Sequence, residues 1–282
     1  MHFRAIRRLT ADDNHYMCTG ARFFQGDLFV AYRQGDGHVC PQGKLIVQRS
    51  RDGGVVFDTV AVGRGAVDTR DAHLYVAENR LHLVGFESEG VKVSGTMWTE
   101  NGVHWSPWTR YTGADGWWLW HPEYFQGRHY GVGYRWDPGQ EEAAWFESDD
   151  GLAWRYAGPV HKGADQPNEA SFAFQPDGTV CMLLRREHRS KRPLLVRARP
   201  PYRQWDTVEL DIPLAGPTLW LVDGEIWIGG RWFVSRRHAH QALFKIVDDE
   251  PVLQVVLPSG PNPDFGYMSV AQWPARVLLA CD

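Results

Sequence analysis

No run of about 18 apolar residues occurs in the 282-residue sequence, which excludes a membrane-spanning helix. An excess of one charge is missing too: 30 Lys and Arg stand against 34 Asp and Glu, so no broad basic field gathers nucleic acid or anionic lipid. Neither nucleic acid nor a membrane is an expected partner. Cysteine is scarce. Cys18, Cys40, Cys181 and Cys281 lie far apart, without CxxC or zinc-ligand spacing, and read as buried free thiols suited to a reducing compartment. The opening MHFRAIRRLTADDNHY is charged and lacks the apolar segment of a signal peptide, so a cytoplasmic location is expected. The glycines of GADGWW and GVG match neither a Walker loop nor a dinucleotide turn, and no cofactor is expected. In HAH at 238–240, two imidazoles share a strand face without an identified third ligand, and no metal is expected.

Helical periodicity is absent as well. Instead GDLFVAYR, GKLIVQRS, NRLHLVGFES, GTVCMLLRRE and GEIWIGGRW alternate at period two and are rich in residues that favour strands. Between such runs stand QGD, ENR, QGR, PDGT and VDGE, which supply the positive backbone angles of tight hairpins. The chain reads as a string of antiparallel hairpins. Its 14 tryptophans are mostly expected between strands, where a large flat side chain buries much area.

One turn recurs at a fixed interval. SRDGGVVFD begins at Ser50, TENGVHWS at Thr99 and SDDGLAWR at Ser148, two steps of 49 positions each. In each, a hydroxyl residue and an Asp or Asn are set to bond the turn's own backbone, with an aromatic residue packing back beneath it. About four strands fit in 49 residues, and 282 divided by 49 is about 5.8, so the expected architecture is an all-β propeller of six four-stranded antiparallel blades, five being the alternative count. A single domain over residues 1–282 is expected.

These turns resemble the Asp-box, S-x-D-x-G-x-x-W, of the sialidase superfamily. Copies two and three match the shorter form S/T-x-D/N-G-x-x-W, copy one has Phe57 for Trp, and PPYRQW at 200–205 is a degenerate fourth. The resemblance implies a six-bladed propeller whose boxes lie on the rim, away from an axial site.

In a propeller the innermost strands of all blades meet at the axis, so polar residues beside strands are the candidates for a site. They are Arg33 and His38; Asp68, Arg70, Asp71 and His73; Trp117, Trp118, His121, Glu123, Tyr134 and Arg135; Glu169, Arg185, Arg186 and Glu187; Arg231; and Tyr267. Four of these resemble sialidase site residues in order and context: Glu169 in NEASFAF, Arg185 in LLRRE, Arg231 in GGRW and Tyr267 in GYMSV. The resemblance implies a Tyr267 nucleophile with Glu169 as its base, arginines binding a substrate carboxylate, and a further acid/base among Asp36, His38 and Asp71. Physically, paired guanidinium donors match a planar carboxylate, and a phenol needs a neighbouring base at neutral pH. A neutral nucleophile also avoids repulsion from an anionic sugar.

One departure stands out. The superfamily's first arginine lies in a Tyr-Arg-Ile-Pro context, but here Tyr16 is followed by Met17, leaving Arg33 or Arg70 to fill the gap. Trp117 and Trp118 are candidates for an apolar floor beneath a sugar ring. The expected activity is an exo-acting glycoside hydrolase on an acidic glycan, sialic-acid-like or uronic-acid-containing. A uronate lyase using His38 and Tyr267, or a non-catalytic propeller that binds glycan or protein, are the alternatives.

Overall fold

Each hairpin turn forms where the sequence places it. Phe24 pairs with Asp27, Ala77 with Arg80, Phe125 with Arg128 and Val222 with Glu225. The two residues left between each pair have positive φ: Gln25 and Gly26, Glu78 and Asn79, Gln126 and Gly127, Asp223 and Gly224. Two-residue loops of this kind match the right-handed twist of the strands they join.

The computed structural model describes residues 8–10, 12–88, 90, 92–235, 238–258, 266–273 and 276–281, with backbone alone for 273 and 276–281. Blade one is β1 (His15–Phe24), β2 (Asp27–Gly35), β3 (Lys44–Ser50) and β4 (Asp58–Gly63). Blade two is β5 (Thr69–Ala77), β6 (Arg80–Glu87), β7 (Val93–Thr99) and β8 (Thr109–Arg110). β9 (Trp118–Phe125), β10 (Arg128–Arg135), β11 (Glu142–Ser148) and β12 (Arg155–Lys162) make the third. The fourth is β13 (Pro167–Phe174), β14 (Val180–Arg186), β15 (Leu194–Ala198) and β16 (Asp206–Glu209). The fifth is β17 (Leu214–Val222), β18 (Glu225–Ser235), β19 (His238–Val247) and β20 (Glu250–Val256). All are antiparallel, with strands paired in chain order.

The expectation of six four-stranded blades is overturned: among the described residues there are five, followed by a two-stranded ribbon of β21 (Met268–Trp273) and β22 (Arg276–Cys281). Division of length by period misleads because the 26 residues after Val256 span about half a repeat and supply two strands. The first strands touch one another in ring order, β1 to β5, β9, β13 and β17, and β21 lies between β17 and β1. Thr19 Oγ1 donates to the Tyr267 carbonyl at 3.0 Å, and the Ala21 amide to Ser269 Oγ at 2.8 Å, tying the ribbon to the first blade.

The core is a set of wedges between successive sheets. Leu45, Leu74 and Leu83 fill the first, Tyr75, Phe146 and Trp154 the second, Trp145, Phe172 and Met182 the third, and Leu195, Ile228 and Phe244 the fourth. The ribbon contributes Ala271 and Met268 to two more. A sheet covered on both faces needs apolar residues at consecutive positions, which explains why β2 and β14 are buried almost throughout rather than at alternate residues. Trp145 is fully buried against Phe172, Tyr130 and Trp205, the structural role expected of most tryptophans. Cys18, Cys40 and Cys181 are buried free thiols; the side chain of Cys281 lies outside the described residues.

All three spaced turns make the expected hydrogen bonds. Ser50 Oγ accepts from Gly54 N, Thr99 Oγ1 from Gly102 N and Ser148 Oγ from Gly151 N, at 2.8 to 2.9 Å. Asp52, Asn101 and Asp150 each accept from two further amides. Each turn joins the third strand of a blade to the fourth, and the stretch containing 200–205 occupies the same place in blade four.

Candidate active site at the hub

The innermost strand of every blade carries a bulge, which lies two residues nearer the hairpin in the third blade than in the others. Cys18 and Thr19, Asp71 and Ala72, His121 and Pro122, Asn168 and Glu169, and Gly216 and Pro217 each stand as two residues opposite one on the second strand. Positive φ occurs at Cys18 (56°), Asp71 (63°), His121 (42°) and Gly216 (59°). A bulge re-aims the side chains that follow it, and non-glycine residues hold this conformation only where surrounding structure compels it.

Tyr267 precedes β21 and meets the fourth bulge across the hub. Its phenol donates to Glu169 Oε1 at 2.7 Å, over a sequence separation of 98 residues. Arg185, opposite that bulge on β14, donates through Nη1 to Glu169 Oε2 at 2.5 Å and to the Tyr267 oxygen at 3.2 Å. Its Nη2 is paired with Glu187. Gly266 makes this approach possible: at φ 116°, an added Cβ would come within 2.6 Å of Arg231 Cβ. Arg231 is thereby packed against the segment that delivers Tyr267, its guanidinium 5.6 Å from the Phe233 ring centre. Burial, then the Glu169 charge, pushes the phenol well above its usual range, against the pull of Arg185. Tyr267 is therefore a neutral phenol at rest, in direct contact with the carboxyl group of Glu169.

Asp71 is buried at the second bulge and accepts a hydrogen bond from Cys18 Sγ at 3.0 Å. Burial lifts its carboxyl to about 6, helped by the charge of Glu169 and opposed by Arg70 and the Cys18 thiol. Such a group is protonated or ionised within reach of neutral pH, as an acid/base requires. Next to it, Arg70 reaches back to β1, with Nη2 3.7 Å from Met17 Sδ and 3.2 Å from the His38 carbonyl. Its guanidinium lies 6.0 Å above Trp118, which is stacked between Phe86 and Tyr134. Of the two arginines offered for the missing position, Arg70 is the one that reaches it. His38 and Asp36 are on an exposed loop between β2 and β3, where His38 Nε2 accepts from Arg70 at 3.3 Å.

Other candidates lie elsewhere. Arg33 is fully buried and forked onto Asp68, with Nε to Oδ1 and Nη2 to Oδ2 both at 2.9 Å. That internal carboxylate takes the donors a substrate would need, so the assignment of Arg33 to substrate binding is corrected. Trp117 packs on Phe146 and Tyr156 beneath Arg135, within the third blade, rather than flooring the hub. Arg186 is engaged by Asp165 and Glu209. His121 and Glu123 line a separate cavity of about 440 Å³, bounded also by Arg22, His73, Ser171 and Thr218 and by none of Tyr267, Glu169, Arg185 or Asp71. There Glu123 is bound by Arg22 at 2.5 Å, and His121 is stacked on His73 at 4.2 Å. The cluster of Tyr267, Glu169, Arg185 and Asp71 is the candidate site on the chemistry of its side chains, apart from that cavity. Sequence reasoning missed Cys18 as a site residue; its signal was the Met-Cys pair standing where the resemblance calls for arginine.

No protein-family model matches the chain, and no curated protein matches it in sequence. Solved structures do match. A Dyadobacter fermentans protein of unknown function is similar with a TM-score of 0.79 and 17% identity, over 96% of this chain and 91% of that one. Trypanosoma rangeli sialidase is similar with a TM-score of 0.69 and 13% identity, over 94% of this chain and 52% of the enzyme. A Hadza microbial sialidase gives 0.69 and 13%, over 91% and 61%. The chain thus spans little more than half the length of the sialidases it matches. At these identities the likeness establishes a shared propeller fold.

Proposed function

We propose that this chain is an exo-acting glycoside hydrolase that releases an acidic sugar, using Tyr267 as nucleophile. The observation that carries the reading is the contact of Tyr267, Glu169 and Arg185 at the hub. In the first step Glu169 takes the phenolic proton as the tyrosine oxygen attacks the anomeric carbon, and Asp71 protonates the departing glycosidic oxygen. In the second, ionised Asp71 takes a proton from water, which displaces the tyrosine, and Glu169 returns its proton to the departing phenolate. Arg70 and Arg231 flank this centre and supply the donors for a carboxylate on the sugar, while Arg185, engaged by Glu169 and Glu187, holds the base in place. The likeness in fold to two sialidases agrees with this chemistry.

Aryl glycosides of sialic and uronic acids, assayed with wild-type protein and Tyr267→Phe, test the proposal. Release of the aryl group by wild type, and its loss in the variant, are expected. Release that survives in Tyr267→Phe refutes the nucleophile assignment. An unsaturated, ultraviolet-absorbing sugar product would mean a lyase, and binding without turnover across the panel a non-catalytic propeller.

A further inference from the structure

The pairing of Cys18 with Asp71 has no role in the scheme above, yet the geometry around it is specific. Cys18 is the first bulge residue of β1 and Asp71 the first of β5, and both hold positive φ, at 56° and 63°. Those two conformations turn the thiol and the carboxyl toward each other across adjacent inner strands, 53 residues apart in sequence. The Sγ to Oδ1 distance is 3.0 Å, and both residues are buried, at 3% and 7% exposure. Asp71 Oδ2 is buried without a hydrogen-bond partner. The thiol is the donor that Oδ1 receives, and the Trp118 indole beside it also favours the ionised carboxyl.

We propose that Cys18 is a positioning residue for Asp71, its S–H anchoring Oδ1 so that the carboxyl keeps one orientation at the hub and its ionisation is coupled to the thiol. The proposal rests on the acid/base role given to Asp71 above. Its sign follows from the hydrogen bond: a donor to a carboxylate stabilises the ionised form, so its loss leaves Asp71 harder to ionise. Other groups acting on Asp71 are Arg70 and the Trp118 indole, which favour its charge, and Glu169, which disfavours it; Tyr134 and Tyr267, both raised by burial, face it as neutral phenols. None of these is removed by a change at Cys18.

Full-length protein with ¹³C-labelled aspartate is titrated by NMR, the Asp71 carboxyl signal being assigned by its absence in Asp71→Asn. Cys18→Ala is expected to raise the Asp71 midpoint by roughly half to one pH unit, as the loss of one weak donor implies. Cys18→Ser, which keeps a donor, restores the wild-type value. Cys18→Gly suits the positive φ and removes the same donor, so it replaces the alanine variant should that misfold. An unchanged midpoint in both donor-less variants, or a serine variant that behaves like alanine, overturns the proposal. In hydrolysis assays the alkaline limb of kcat/KM should move with the midpoint. A shifted midpoint without any glycosidase activity would uphold the coupling and reject the catalytic reading, so the two failures are distinct.

Discussion

Tyr267 and Glu169 share a 2.7 Å hydrogen bond although 98 residues separate them. Only circular closure brings the segment before the final ribbon against the fourth blade, and the bond falls where a bulge turns Glu169 into the hub. The phenol is raised by burial and by Glu169 itself, so in the proposed reaction proton removal during attack is the step most sensitive to that carboxylate. Replacing Glu169 by Gln should lower kcat by roughly 10²- to 10⁴-fold, the usual contribution of a positioned base, with a smaller change in KM. Steady-state kinetics on the best aryl glycoside check this; a loss confined to KM would make Glu169 a binding residue only.

Asp71 gives the pH dependence. With a folded value of about 6 against 3.8 for an ordinary Asp side chain, the acid form needed for leaving-group protonation is lost as pH rises through 6. The alkaline limb of kcat/KM should lie near there and vanish in Asp71→Asn along with most activity. Stability follows the same sign. A raised folded value means that Asp71 contributes fully below about 3.8 and that this contribution is lost as pH climbs past 6. Asp71→Asn should therefore gain up to about 3 kcal/mol over wild type at pH 8 and little at pH 4. Urea denaturation of both proteins at the two pH values measures the difference; equal gains at both would remove the ionisation argument.

Much of this was legible in the sequence. Ser50, Thr99 and Ser148 fix the blade interval because each caps the same turn, and Gln25-Gly26 or Asp223-Gly224 mark hairpins because few residue pairs tolerate two positive φ angles. Blade number was not legible, since a period says how long a unit is and not whether the last is complete. Polar residues near strand ends were found as a class, and Tyr267 was paired with Glu169 through the resemblance, but the other partners were not legible. Arg33 and Arg70 look alike in sequence, and only the buried Asp68 separates them. His121 and Glu123 lie one bulge away from the hub chemistry yet line a different cavity. A bulge re-aims the side chains beside it, and its place, two residues nearer the hairpin in the third blade, depends on pairing with the next strand rather than on local composition.

The contrast between Arg33 and Arg70 can be measured. Arg33→Met leaves Asp68 buried and unpaired, at a cost of roughly 3–5 kcal/mol, while the folded fraction keeps kcat/KM within a few fold. Gly43→Ala should damage the same pair, because a Cβ there would overlap Asp68 Oδ1. Arg70→Met should instead lose roughly 100-fold in kcat/KM, as expected when a donor to a bound carboxylate goes. Denaturation curves and kinetics on all three variants decide the matter. Loss of turnover in folded Arg33→Met would return that residue to the site.

The spaced turns ought to behave as pure stability elements. Ser148 is fully buried and accepts from Gly151 N at 2.9 Å, while Asp150 accepts from Leu152 N and Ala153 N at 2.8 Å and Trp154 closes the turn from below. Ser148→Ala removes one of these bonds and leaves a buried amide short of an acceptor, a loss of about 1–2 kcal/mol. Thr99→Ala should lose a similar amount, since Thr99 is equally buried and Gly102 N makes the equivalent bond. The two turns belong to different blades and share no partner, so the double variant should show additive losses within about 0.5 kcal/mol. Neither turn contains any of the hub residues, and kcat/KM should stay at the wild-type value in both variants. A fall in activity larger than the fall in folded fraction would tie these turns to the site and contradict their assignment to the rim.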